Sequence, residues 1–129
     1  MGDSHPAATF GCVARELGRR RLAFLCAQES LGENRLGPEL KNQFGGLYVA
    51  NEGFTRESAE QLLAEGEFES DEKSLPFATT DAVAFGKLFI ANPDLPQRFA
   101  RNASLNIPDS ATFYGDGPQG YTEYPALPD

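Results

Sequence analysis

Two short turns carry the groups best suited to hold an anion. Asn51-Glu52-Gly53 follows the apolar run Gly45-Gly46-Leu47-Tyr48-Val49-Ala50, and Gly86-Lys87 lies in the apolar run that begins at Ala82. Glycine lets backbone N–H groups approach a ligand closely, and an ammonium beside it supplies a point charge that offsets a phosphate dianion. Lys87 cannot make the bidentate fork of an arginine. By spacing alone, the plainer reading makes Gly53 a turn glycine and Lys87 a surface lysine. Tyr114 stands in a tail rich in glycine and proline, where a tyrosine by itself reads as a packing anchor. Phe113, Tyr121 and Tyr124 read as packing residues.

The other polar groups point to less chemistry. The single histidine, His5, has no cysteine or carboxylate at ligand spacing and reads as exposed rather than metal-bound. Cys12 and Cys26 are too far apart for a CxxC pair and read as small core residues with reduced thiols. Glu29 follows the first strand, where α/β barrels gather active-site residues, but reads as solvent-facing. Glu67, Glu69, Asp71 and Glu72 lack the ordered ligand spacing of a calcium loop and read as a solvated segment. No metal site is expected.

The elements that must position these residues alternate. Phe10, Val13, Ala14 and Leu17 recur at the spacing of one helix face, and Gly18 is suited to end that helix in a left-handed conformation. Arg19, Arg20 and Arg21 read as a solvated connection to Leu22-Ala23-Phe24-Leu25-Cys26, a continuous apolar run that predicts a strand covered on both faces. Residues 28–43 are polar and glycine-punctuated, with a helical turn or two near Pro38 to Asn42. Gly45 to Ala50 predicts a second strand. Thr55 then caps a helix with Glu57 in its first turn, Ala59, Leu62 and Leu63 as its buried stripe, and Gly66 as its stop. Residues 67–80 are acidic and proline-broken and read as an exposed loop. Ala82 to Phe89 predicts a third buried strand, and Asn92-Pro93-Asp94 a helix start with cap, proline and first-turn acid, placing Leu95 and Phe99 inward. Beyond Arg101 the chain reads as an irregular tail pinned by aromatic residues.

That order is the order of a parallel α/β protein. A complete (β/α)₈ barrel takes about 250 residues, so a chain of 129 residues reads as a partial barrel in a single segment. Eleven Lys and Arg against nineteen Asp and Glu give a formal charge of −8, which argues against nucleic acid and anionic membranes as partners. The longest apolar runs fall far short of the roughly 18 residues a membrane helix needs. MGDSHPAATF has no basic stretch leading into an apolar one, so no secretory signal is read and a cytoplasmic location is expected.

The run Asp81-Ala82-Val83-Ala84-Phe85-Gly86-Lys87-Leu88-Phe89-Ile90-Ala91-Asn92-Pro93-Asp94-Leu95 is very similar to the last strand and following helix start of the Old Yellow Enzyme family, FMN-dependent ene-reductases that use NAD(P)H. Ala50-Asn51-Glu52-Gly53-Phe54-Thr55 resembles that family's turn after its seventh strand. The tail from Pro108-Asp109 through Thr112-Phe113-Tyr114-Gly115 to Gly120-Tyr121-Thr122-Glu123-Tyr124-Pro125 resembles its closing segment.

The resemblance implies the C-terminal part of a TIM barrel, strands six to eight with their helices. It further implies FMN-phosphate contacts for Asn51, Glu52, Gly53, Gly86 and Lys87, with Tyr114 near the substrate end of the flavin. The paired His and Asn that hold the substrate carbonyl, the proton-donating Tyr, and the Gln and Arg at the flavin ring lie upstream in the family, so no catalytic residue is expected in this stretch. Three departures stand out: Lys87 replaces the usual Arg, Glu123 replaces a closing Asp, and residues 67–80 intervene where the family passes directly from helix to strand. A complementary chain carrying the upstream strands, or self-association, would restore a closed sheet. The alternative is a non-catalytic half-barrel that self-associates or serves as a binding or structural remnant.

Overall fold

Pro6 opens the first helix, where its missing N–H costs nothing, and α1 (Pro6–Arg19) then starts about one turn before the expected Phe10 and continues through Gly18 to Arg19. In the computed structural model the described residues are 4–28, 35–64 and 80–128. They fall into two units, 1–84 and 85–129. In the first, β1 (Phe24–Gln28), α2 (Gly37–Phe44), β2 (Leu47–Asn51), α3 (Arg56–Ala64) and β3 (Ala82–Ala84) follow α1. The second holds α4 (Lys87–Ala91), α5 (Leu95–Ala100) and a single 3₁₀ turn, Ser110–Thr112.

The sheet is parallel, as expected, in the order β1-β2-β3. Cys26 pairs with Val49, Val49 with Ala82, and Asn51 with Ala84. Tyr48 and Ala50 of the central strand are fully buried, while Leu47, Val49 and Asn51, which alternate with them, are less so. The core of this unit gathers Ala14, Leu40, Phe44, Phe54, Ala59 and Leu62 around them. Thr80 and Asp81 tie β3 to β2 beyond the backbone ladder. The Thr80 hydroxyl accepts from the Ala50 N–H (3.2 Å) and donates to the Tyr48 carbonyl (3.1 Å). Asp81 accepts from the Tyr48 N–H at 2.7 Å and pairs with Lys41 at 2.9 Å. Burial opposes the Asp81 charge, yet the Lys41 and Tyr48 donors outweigh it and hold the carboxyl below the usual carboxylate range.

Several expectations are corrected. Gly18 lies inside α1 rather than past its end, and Arg21 instead takes the positive φ of 55°. What demands glycine at 18 is a close approach: a Cβ there would run into the Phe44 carbonyl. Phe10 and Val13 of the expected buried face are about half exposed, at 50% and 49%. The first strand starts at Phe24, leaving Leu22 outside it; Leu25 and Ala27 are only partly buried, and Phe24, Cys26 and Gln28 on the other face are exposed. It is an edge strand of the described sheet, so only β2 pairs with it. Cys12 and Cys26 are exposed, not core. The second strand starts at Leu47, since Gly45 closes α2 in a left-handed conformation (φ 72°).

The Ala82 to Phe89 run is not one strand. β3 stops at Ala84, and the Gly86 carbonyl accepts from the N–H groups of Phe89 and Ile90, which starts a helical turn. Helix α5 begins at Leu95 with Asp94 at the cap, and its early proline is Pro96, not Pro93. Asn92 is fully buried and works on the tail instead: its Nδ2 donates to the Leu88 and Asn106 carbonyls and its Oδ1 accepts from the Asn106 N–H (2.7 Å). As expected, Leu95 is buried; Phe99 meets Phe85 edge to face at 5.3 Å. Leu63 is 40% exposed, outside the α3 stripe expected of it. The Gly66 stop and the loop reading of residues 67–79 lie outside the described residues, as does Glu29.

Candidate functional site

The two turns singled out in the sequence fall in different units. In the first unit the chain leaves β2 through Asn51, whose side-chain oxygen accepts from the Glu52 N–H at 2.9 Å. Glu52 and Gly53 then both take positive φ, 85° and 75°. A non-glycine residue held there costs free energy on the order of 1 kcal/mol, and the Asn51 carboxamide offsets part of it by fixing the turn. Asn51 thus shapes the loop, the Glu52 donor is engaged within it, and Gly53 is an exposed member of the turn. Thr55 closes the turn. Its hydroxyl accepts from the Ser58 N–H (3.2 Å) while the Ser58 hydroxyl accepts from the Thr55 N–H (2.9 Å), a reciprocal cap that starts α3. Glu57 follows with its carboxyl held below the ordinary range by its own backbone N–H and the Thr55 hydroxyl.

In the second unit Gly86 precedes α4, and a Cβ placed on it would meet nothing within 4 Å. The backbone at Gly86 is therefore open, as a position facing an anion must be. Lys87 is exposed, and its ammonium stands over the Phe113 ring at 5.9 Å from the centroid. The sequence reads Phe113 as packing only; nothing in its spacing from Lys87 signals the contact.

Tyr114, next to Phe113, is 94% exposed with φ 63°. It is not a packing anchor: its ring is available and its N–H donates to the Tyr121 hydroxyl at 3.2 Å. The Tyr124 hydroxyl accepts from the Asp109 N–H at 2.8 Å. Those two hydroxyls, with the Asp109 side chain accepting from the Ala111 N–H at 3.0 Å, hold the turn that presents Phe113 and Tyr114.

Sequence reading missed the buried clamp beneath this tail. Arg98 is 4% exposed and donates to Asp94 Oδ1 and to the Ser104 and Pro125 carbonyls, each at 2.6 Å. Asp94 Oδ2 accepts from the Leu127 N–H at 2.7 Å. The Arg98 guanidinium chiefly, with the Leu127 N–H, holds the Asp94 carboxyl below its ordinary value against partial desolvation. One charged pair thereby ties down Ser104, Pro125 and Leu127, with a signal no stronger than an i, i+4 spacing.

Cys12 and Cys26 do not form a site, and His5, exposed at the start of α1, has its ring nitrogen 2.9 Å from the Ser4 hydroxyl. Among the described residues no group of three or more His, Cys, Asp or Glu gathers that could hold a metal ion, and no helix is long and apolar enough to cross a membrane.

Comparison with known proteins agrees with the resemblance carried by these turns. No protein-family model matches the chain. The chain is 33% identical to 12-oxophytodienoate reductase 1 of Oryza sativa subsp. japonica over 97% of its own length and 32% of that protein. Over 68% of its length it is 40% identical to 12-oxophytodienoate reductase 2 of Arabidopsis thaliana, covering 21% of it. Among solved structures, morphinone reductase in complex with tetrahydroNAD superposes with a TM-score of 0.80 at 38% identity, over 99% of this chain and 32% of that one. The old yellow enzyme from Trypanosoma cruzi gives 0.79 at 28% identity, over 98% and 31%. The chain spans about a third of the length of the proteins it matches.

Proposed function

The chain belongs to the Old Yellow Enzyme family, and from that premise we propose that it is the C-terminal third of an FMN-dependent (β/α)₈ oxidoreductase, supplying the loops at the flavin phosphate. One observation carries the reading: β2 and β3 are adjacent parallel strands ending in register at Asn51 and Ala84, and each runs directly into a glycine-bearing turn. Loops after the last strands of such barrels are where phosphates bind.

The residues present fit an anionic group. Gly86 is open where a side chain would stand, Lys87 brings a cation, and Gly53 brings backbone held in a left-handed turn by Asn51 and Glu52. Lys87 would neutralise part of a phosphate dianion as a point charge, with the open Gly86 backbone beside it in the chain. Tyr114 offers an exposed ring and hydroxyl to the substrate end of a pocket. When bound, FMN would supply hydride transfer between NAD(P)H and an activated alkene. No residue of this chain is assigned the proton-donating or carbonyl-holding role.

Titration of the chain with FMN and with riboflavin, followed by flavin fluorescence, tests the assignment. Lys87→Ala is expected to weaken FMN by roughly tenfold or more, the worth of a hydrogen bond to a charged group, and to leave riboflavin unchanged. Absence of saturable FMN binding, or equal loss for both flavins, would remove the phosphate role.

A second reading, a non-catalytic half-barrel that self-associates, draws on a different observation. An open groove of about 850 Å³ in the first unit is lined by apolar residues including Phe10, Val13, Leu25 and Leu40. Its test is the oligomeric state.

A further inference from the structure

Resting on the phosphate-site reading above, we propose that Phe113 is a positioning residue for Lys87, its ring holding the ammonium in place for the flavin phosphate. The argument starts from what a lysine lacks. Its charge sits at the end of a flexible stem with several rotatable bonds, so fixing it on a ligand costs conformational entropy. A planar guanidinium loses less per hydrogen bond formed because its fork is already organised. A lysine at such a place therefore gains from anything that confines its head group before the ligand arrives.

The Phe113 ring does this, with Lys87 Nζ 5.9 Å from its centroid, within the reach of a cation over an aromatic face. The ring is itself fixed from both sides. Upstream, Asp109 closes the 3₁₀ turn through the Ala111 N–H (3.0 Å), and the Thr112 hydroxyl donates to the Asp109 carbonyl (2.8 Å). Downstream, the Tyr114 N–H is held by the Tyr121 hydroxyl (3.2 Å). Gly120 packs so closely on Thr112 that a Cβ there would run into the Thr112 side chain, and its φ of 75° also demands glycine. None of these contacts requires a ligand. The same rigid turn carries Phe113 and Tyr114, so the tail that resembles a substrate wall also anchors the phosphate cation.

The experiment is a double-mutant cycle on the chain, with FMN and riboflavin as probes and flavin fluorescence as the readout. Phe113→Leu is expected to weaken FMN by about two- to fivefold, the fold-change an exposed cation–ring contact is worth, with no change for riboflavin. Phe113→Tyr, which keeps an aromatic face, restores FMN binding. In the Lys87→Ala background Phe113→Leu has no further effect. A second readout needs no flavin: the Lys87 ε-methylene protons are shifted upfield by the ring in the wild-type NMR spectrum and lose that shift in Phe113→Leu. The proposal is overturned if Phe113→Leu weakens both flavins alike, or still weakens FMN when Lys87 is alanine; the phosphate reading then survives on the Lys87→Ala result alone. Wild-type chain that binds neither flavin overturns the phosphate reading and this proposal with it.

Discussion

Two aspartates carry the most informative residue-scale electrostatics, and both are structural. Asp81 joins Lys41 to the Tyr48 backbone, and Asp94 joins Arg98 to the Leu127 backbone. Both carboxyls are held below their ordinary values. Unfolding restores a value near the model-peptide figure of about 3.9, so on acidification the unfolded chain takes up these protons before the folded one. Their contribution is therefore complete above about pH 5 and is lost as the pH falls through 4 towards the depressed folded values. Urea midpoints measured from pH 7 to pH 3 should fall on the acid side. Asp81→Asn should cost about 1–2 kcal/mol at pH 7, because Lys41 is left largely buried without its partner. That difference should narrow below about pH 4, where the unfolded wild-type chain takes up the Asp81 proton that the folded chain resists. A cost that stays constant across the range would mean that the side chain acts by shape and not by charge.

At the scale of elements, α3 shows what a local signal can specify. The Thr55 and Ser58 hydroxyls each satisfy the other's backbone N–H, and Glu57 sits in the first turn. Thr55→Ala should cost about 1 kcal/mol, read as a shift in the denaturation midpoint with an unchanged slope. An unchanged midpoint would place the start of α3 under tertiary control. This helix and the turn before it were legible because caps, acids and glycines act within a few residues of one another. The parallel order of the sheet was legible for a related reason, since strands joined by helical crossovers leave few alternatives. What sequence could not resolve is equally physical. A continuous apolar run such as Ala82 to Phe89 has no period to separate a buried strand from a helix, and the break at Gly86 depends on where its carbonyl finds donors. Likewise Phe10, Val13 and Cys26 have core-like composition, but their exposure depends on which neighbours cover α1 and β1. Of the candidate site, the Asn51–Gly53 turn and the Gly86-Lys87 pair were readable as motifs. The Phe113 ring over Lys87 is a contact between distant positions and leaves no trace in spacing.

For the molecule as a whole, two opposing forces decide whether copies meet. Phe10, Val13, Leu22 and Phe24 are about half exposed, and Phe10 and Val13 line the groove beside the edge strand β1. Apolar surface of that kind together with an unpaired strand edge favours association. Against it stands a formal charge of −8 on every copy, which repels at distances up to the Debye length of about 10 Å in 0.1 M salt. The balance predicts the sign of the salt dependence. Added salt screens the repulsion and leaves the apolar contact intact, so sedimentation should show association that strengthens from low to high ionic strength. An interface built on ion pairs would weaken instead. Burying a Phe or Val side chain is worth about 1.5–3 kcal/mol, so Phe10→Glu with Val13→Glu should raise the dissociation constant by more than tenfold if the groove is the contact. Association that survives both substitutions would move the contact off this face, and a monomer at every salt concentration would remove the self-associating half-barrel.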